Sequence, residues 1–163
     1  MLWNSMLGKA LVTFLISMIP IIELRGAIPI AAASGLSLQT ALVAAVIGNL
    51  LPVPFIIIFV RKIFTWLRVK SEKWNRIVMR LENRTEQKSD IVRRYAFWGL
   101  ALFVAIPFPG TGAWTGALIA AMLDMRLKRA FPAIALGVIV AGTIVAIATY
   151  GAGSLLFGEG TIS

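Results

Sequence analysis

Glu23 and Arg25 are the only charged residues between Ala10 and Val60. A carboxylate can trade protons, and a guanidinium keeps its charge and grips an anion through a two-pronged donor edge. In the middle of a bilayer a charge costs about 2.5–3.5 kcal/mol on insertion scales, so two without partners cost roughly 5–7 kcal/mol. Residues two apart do not face each other on a helix. Either the backbone around Pro20, Gly26 and Pro29 is non-helical and a salt bridge pins this stretch, or each charge has another partner and the pair forms a site. Desolvation favours neutral Glu23 and a nearby Arg25 favours its charged form, and the sequence leaves that balance open.

A second cluster is Pro107-Phe108-Pro109-Gly110-Thr111-Gly112. Two backbone donors are missing and Pro109 disfavours helical geometry at Phe108, so a helix must stop here. A new one can start at Ala113, and its free N–H groups and dipole favour an anion. Thr111 or Thr115 is suited to cap it. Asn49, about nine residues into an apolar run, is an amide at similar depth that can serve the site or bond between helices. Trp114 can line the cavity or pack beside it. The candidate substrate and proton site is therefore Glu23, Arg25, Gly26, Pro29, Asn49, Pro107, Pro109, Gly110, Thr111, Gly112, Trp114 and Thr115. With no His and no Cys, thiol chemistry, Cys/His metal sites and Ser–His or Cys–His nucleophiles are excluded. No catalytic residue, metal or cofactor is expected, and an enzyme is the least favoured class.

The elements that must position these residues are membrane elements. Of 163 residues 59% are apolar and 14% charged, with a mean hydropathy of +0.87, against about 45–50% and about 25% in soluble domains. Three stretches, 10–60, 95–123 and 130–158, are nearly free of charge. Between Arg61 and Arg94 stand eleven Lys/Arg against four acids, which is seven of the nine net positive charges. Flanked by membrane-length apolar runs, this block follows the positive-inside rule and reads as a cytoplasmic linker rather than a nucleic-acid site. Ile63, Leu67, Trp74, Ile77, Val78 and Leu81 form a rough apolar stripe, as in a basic helix lying on the inner leaflet; a solvated connector reads equally well. Glu23, Arg25 and two prolines argue against reading the first segment as a cleaved signal peptide.

Residues 40–60 and 130–150 are each long enough to cross a bilayer. Both carry small residues four apart, Ala44 and Gly48 in one, Ala133, Gly137 and Ala141 in the other, which let helices approach closely. At an offset of 89, Leu38, Ala41, Ala44, Gly48 and Ile58 meet Leu127, Ala130, Ala133, Gly137 and Ile147, and Ile19-Pro20 meets Ile106-Pro107 at 87. Each half runs in the same order: an apolar segment broken by Pro and Gly, a short polar turn, then an apolar helix. From Ala96 to Pro107 is about 16 Å of helix, half the hydrocarbon core. If 96–123 crossed, Arg126, Lys128 and Arg129 would lie outside; as a hairpin that dips and returns, it keeps them with the linker. The expected fold is an all-α integral membrane protein: an inverted repeat of two units, each a re-entrant broken-helix hairpin plus a transmembrane helix, joined by a basic amphipathic linker. It forms a single membrane domain with repeat 1 at 10–60, the linker at 61–94 and repeat 2 at 95–158. The expected location is the plasma membrane, multi-pass, and so small a bundle is expected to form a homo-oligomer.

The stretches Pro20-Ile21-Ile22-Glu23-Leu24-Arg25-Gly26-Ala27-Ile28-Pro29 and Ile106 to Gly116 resemble the small multi-drug export protein family over nearly the whole chain. That family is similar to the DedA (SNARE-associated, VTT-domain) membrane proteins, whose members are associated with two re-entrant hairpins, with lipid movement including a lipid-phosphate carrier, and with proton-dependent drug tolerance. The resemblance implies an acidic membrane residue at Glu23 and the motif proline at Pro29. The arginines of the second DedA motif have no counterpart between Ala105 and Trp114. The expected function is a small proton-linked exporter or translocator of an anionic or amphiphilic substrate, drug-like or phospholipid-like, acting between the two hairpin tips. Its expected partners are membrane lipids, protons and a small-molecule or lipid-phosphate substrate, without nucleic acid. The alternatives are a DedA-like lipid translocase or scramblase and a non-transporting membrane assembly factor that uses the basic linker.

Overall fold

The computed structural model describes residues 5–70, 89–108 and 110–157, so Pro109 and the linker segment 71–88, with most of its proposed apolar stripe, lie outside the described residues. All secondary structure among the described residues is helical. The helices are α1 (Met6–Ser17), α2 (Glu23–Ala33), α3 (Leu38–Leu50), α4 (Pro52–Lys70), α5 (Ser89–Ala105), α6 (Ala113–Met122) and α7 (Leu127–Phe157).

Each boundary has a local cause. Ser5 accepts a hydrogen bond from the Gly8 amide and starts α1. α1 ends two residues short of the helix-incompatible Pro20. Gly35, at φ +76, ends α2 in the left-handed conformation that glycine adopts without strain. The first apolar run, expected as one unbroken helix, divides at Leu51: Pro52 has no N–H for the Gly48 carbonyl. Leu51 itself keeps right-handed helical angles, so Leu38–Trp66 still forms a 29-residue apolar rod. α7 provides the second, Leu127–Gly153, of 27 residues. Both exceed the roughly 20 residues that cross a bilayer. Along the first rod Val43, Ile47, Leu51, Phe55, Ile58 and Phe59 are exposed at helical spacing, and Leu136, Ile139, Val140, Ile144 and Ile147 are exposed along the second. In water such stripes promote association; facing lipid they carry no such penalty.

The two halves pack alike. α1 lies on α2 and α3, and α5 lies on α6 and α7. Gly48 of α3 sits so close to α1 that a Cβ would overlap the Phe14 carbonyl and the Ser17 hydroxyl. Gly137 of α7 meets the Ala101 carbonyl and Val104 of α5 in the same way. Ala101 and Val104 stand 87 positions after Phe14 and Ser17, so the small residues at matching places in the sequence make matching contacts. Between the halves, α2 packs on α7 and α6 on α4. The shared core is built mainly of Ala, Val, Ile and Leu, with Leu24, Ile28, Val53, Ile57, Ile134 and Val138 essentially inaccessible.

The ends of the bundle are tied by polar contacts. Lys9 Nζ donates to the Ser34 carbonyl and Tyr150 Oη to the Leu36 carbonyl, bringing the start of α1, the α2–α3 turn and the end of α7 together. Arg61 pairs with Asp124 at 2.7 Å, joining α4 to the α6–α7 turn. The first broken segment is thus folded back on itself, Lys9 near its start meeting Ser34 just after its end, and the turn after the second is held to α4.

Candidate functional site

Pro20 and Pro107 sit in two chain breaks that meet. The first break releases the chain into Glu23, which opens α2 at φ +49. A non-glycine residue in that region costs on the order of 1–3 kcal/mol. Arg25 lies in the first helical turn of α2, and Glu23 opens that turn from its left-handed φ; the irregular stretch before it is 18–22, and Pro29 is accommodated inside the helix on its exposed side.

The Glu23 side chain is only 6% exposed. Its Oε1 accepts from the Trp114 amide at 3.3 Å, in the first turn of α6. Its carboxylate lies flat against Gly112, where a Cβ would overlap both carboxylate oxygens and Cδ. Gly112 stands 89 positions after Glu23, the repeat offset, so corresponding positions of the two halves touch. Only a residue without a side chain allows that approach.

Arg25 turns to the other break. Its Nη2 donates to the Ile106 carbonyl at 3.2 Å and to Thr111 Oγ1 at 3.1 Å, and its Nη1 donates to the Phe108 carbonyl. Nε is buried with no partner among the described residues. No ion pair joins Glu23 to Arg25. The two charges are instead balanced by opposite helix ends of the second half. The carboxylate sits on the N-terminus of α6 and the guanidinium on the C-terminal carbonyls of α5. Each arrangement is favourable by about 0.3–1 kcal/mol, up to about 2 where partly buried. Trp114 returns the contact: its Nε1 donates to the Met18 carbonyl at the end of α1, 3.2 Å away. Each break is therefore capped by a side chain from the other half.

Thr111 does not cap α6. Its hydroxyl lies within 2.7 Å of the Ile106 carbonyl and 2.9 Å of the Phe108 carbonyl. Gly112 is the N-cap position, one residue further on, and makes no side-chain cap bond. The expected capping role at α6 is filled by Glu23 from across the interface.

A cleft of about 610 Å³ opens beside this junction, within the usual size range of small-molecule pockets. It is lined by Glu23, Arg25, Gly26, Pro107, Gly110, Thr111, Gly112 and Thr115 of the expected residues, with Pro20, Ile21 and Ile22 in addition. Those three went unassigned in the sequence; their signal is the break at Pro20, which must expose the residues between two helix ends. Trp114 belongs to the junction through its two hydrogen bonds. Pro29 and Asn49 do not line the cleft. Asn49 is 1% exposed, and neither its amide nitrogen nor its amide oxygen has a partner among the described residues. Pro109 lies outside the described residues. No group of three or more Asp and Glu is placed to hold a metal among the described residues.

Residues 23–144 match the model of a family described as "Putative small multi-drug export protein". Neither a curated protein nor a solved structure matches the chain significantly. The match begins at Glu23, just after the first break, and spans the second break, the first apolar rod and most of the second.

Proposed function

The chain belongs to the small multi-drug export protein family, and on that premise we propose that it is a proton-linked exporter whose substrate site is the cleft at the two breaks. It is a membrane protein, and its family points to transport rather than catalysis. In the proposed topology the two broken segments are re-entrant hairpins of an inverted repeat within one membrane domain. The tie between Lys9 and Ser34 supports it, because it closes the first hairpin at its open end, and Arg61 holds the far end of the second against α4. So does the charge asymmetry: Arg61, Lys62, Arg126, Lys128 and Arg129 share an end with one acid, Asp124, while Lys9 lies at the other. The positive-inside rule then favours a cytoplasmic linker, and the plasma membrane is the location this reading adopts. Two copies associate through lipid-facing apolar stripes in this reading.

The observation that carries the proposal is the Glu23 carboxylate, buried on the Trp114 amide and against Gly112 beside the cleft. Ionised, Glu23 fills the seat at the α6 N-terminus. Protonated, it loses the charge that favours that seat. The anionic or polar group of an amphiphile can then replace it, close to Arg25, with its apolar part on Ile21, Ile22 and Pro107. Protonation of Glu23 and entry of the substrate at one seat favour each other, which couples their movements. A lipid-phosphate substrate is the second reading; Arg25 would be its lone basic contact, and three acceptors already engage that side chain.

The test is transport of a carboxylate-bearing amphiphilic fluorophore into everted vesicles across a pH series. Glu23→Gln is expected to slow uptake at least tenfold and to flatten its pH dependence. Uptake with unchanged rate and pH profile in Glu23→Gln overturns the proposal.

A further inference from the structure

We propose that α4 carries a binding site for the headgroup of an anionic phospholipid in the leaflet on the linker side. Ile58, Arg61, Lys62, Thr65 and Trp66 line an open trough of about 530 Å³, remote in sequence and lining from the cleft at the breaks. Their spacing of i, i+3, i+4, i+7 and i+8 puts all five on one helix face. The face changes character along its length: Ile58 belongs to the exposed apolar stripe of the rod, Arg61 and Lys62 follow, and Trp66 is 60% exposed at the end of the apolar span.

That order matches the depth profile of a leaflet. About 20 residues of helix fill the hydrocarbon core, so a rod beginning at Leu38 leaves it near Arg61. Acyl chains then meet Ile58, phosphates meet Arg61 and Lys62, and Trp66 sits at headgroup level, where tryptophan is enriched. Thr65 donates its hydroxyl to the Arg61 carbonyl at 2.9 Å, so recognition rests on the two cations. Asp124 pairs with one edge of Arg61 at 2.7 Å and competes there with a headgroup. Arg126 of the same turn and Lys128 and Arg129 at the start of α7 follow Asp124 closely and add to the local positive potential. Lys62 has no ion pair among the described residues. A phosphodiester supplies the missing negative charge, and its two acyl chains cover the apolar stripe. Basic pockets beside membrane helices on the cytoplasmic side hold such headgroups.

Native mass spectrometry of the full chain, titrated with phosphatidylglycerol or phosphatidylcholine, reads the site directly. The wild type is expected to hold its first phosphatidylglycerol more tightly than phosphatidylcholine. One basic charge near an anionic headgroup contributes about 1 kcal/mol, so Lys62→Gln should weaken that adduct roughly fivefold. Lys9→Gln, an equal charge loss at the opposite end, should leave it unchanged. Asp124→Asn frees Arg61 and should strengthen it. Circular dichroism checks that each variant retains its helix content. Equal affinity for the two lipids, equal weakening by Lys62→Gln and Lys9→Gln, weaker binding in Asp124→Asn, or displacement of the lipid by soluble glycerol phosphate would each overturn the proposal.

Discussion

Replacing Gly112 with alanine tests the contact on which the junction is built. A Cβ at Gly112 overlaps the Glu23 carboxyl group on three atoms. α6 is fixed by the packing of Ala113, Ala117 and Ala120, all fully buried, so the smaller adjustment is expulsion of the Glu23 side chain. That breaks its bond to the Trp114 amide. A hydrogen bond to a charged group contributes about 1.5–3 kcal/mol, and overpacking adds about 1–3 kcal/mol. The expected loss is about 3 kcal/mol, which lowers Tm on the order of 10 °C for a chain of this length. The assay is a double-mutant cycle with Glu23→Ala, read by thermal unfolding in detergent. Glu23→Ala removes the carboxylate that the new methyl group would strike. In that background Gly112→Ala should therefore cost less than about 0.5 kcal/mol, a coupling of about 2–3 kcal/mol. Additive losses would refute the packing argument, because they would mean that the methyl group and the carboxylate do not compete for one space.

Arg25→Lys should destabilise the protein by about 1–3 kcal/mol, nearly as much as Arg25→Gln, because an ammonium cannot reach three oxygens in one plane; hydrogen exchange across 106–112 should rise in both. Trp114→Phe removes the bond to the Met18 carbonyl and should cost about 1 kcal/mol by melting, less than Gly112→Ala. Gly137→Ala drives a methyl into the Ala101 carbonyl and should cost about 1–3 kcal/mol, whereas Gly99→Ala, with nothing within 4 Å, should stabilise α5 by about 0.5–1 kcal/mol. Asp124→Asn breaks an ion pair whose side chains are 36% and 58% exposed, and should change stability by less than about 1 kcal/mol.

Much of the fold is legible in the sequence because proline and glycine act locally. Pro20 and the Pro107–Gly112 run mark both breaks within a few residues, since a missing N–H weakens a helix at that point. Gly48 and Gly137 are legible as close-approach positions from their small-residue spacing. Pro29 shows the limit of that reasoning: an interior proline stays helical because packed neighbours hold α2 together around it. Much of the cleft lining is legible as a set of residues, with Pro29 and Asn49 apart from it and Ile21 and Ile22 in addition, while none of its bonds is legible. That Glu23 and Arg25 form no ion pair with each other, and take opposite helix ends from the other half, depends on how the halves dock. Spacing within one segment contains no such information. Trp114 is the clearest case, since its indole nitrogen finds the Met18 carbonyl 96 positions away. Thr111 has the right chemistry for a cap but stands one residue before the capping position.

Side-specific labelling of single cysteines tests whether each broken segment enters and leaves by one face and whether the two segments use opposite faces. The native chain has no cysteine, so each introduced thiol reports alone. Ser5→Cys and Ser34→Cys should both react with an impermeant maleimide from outside intact cells. Met125→Cys should react only from the cytoplasmic side, together with a cysteine in the linker. Labelling of Ser5→Cys and Ser34→Cys from opposite sides, or of Met125→Cys from outside, would mean that a broken segment crosses the bilayer, and would contradict the account.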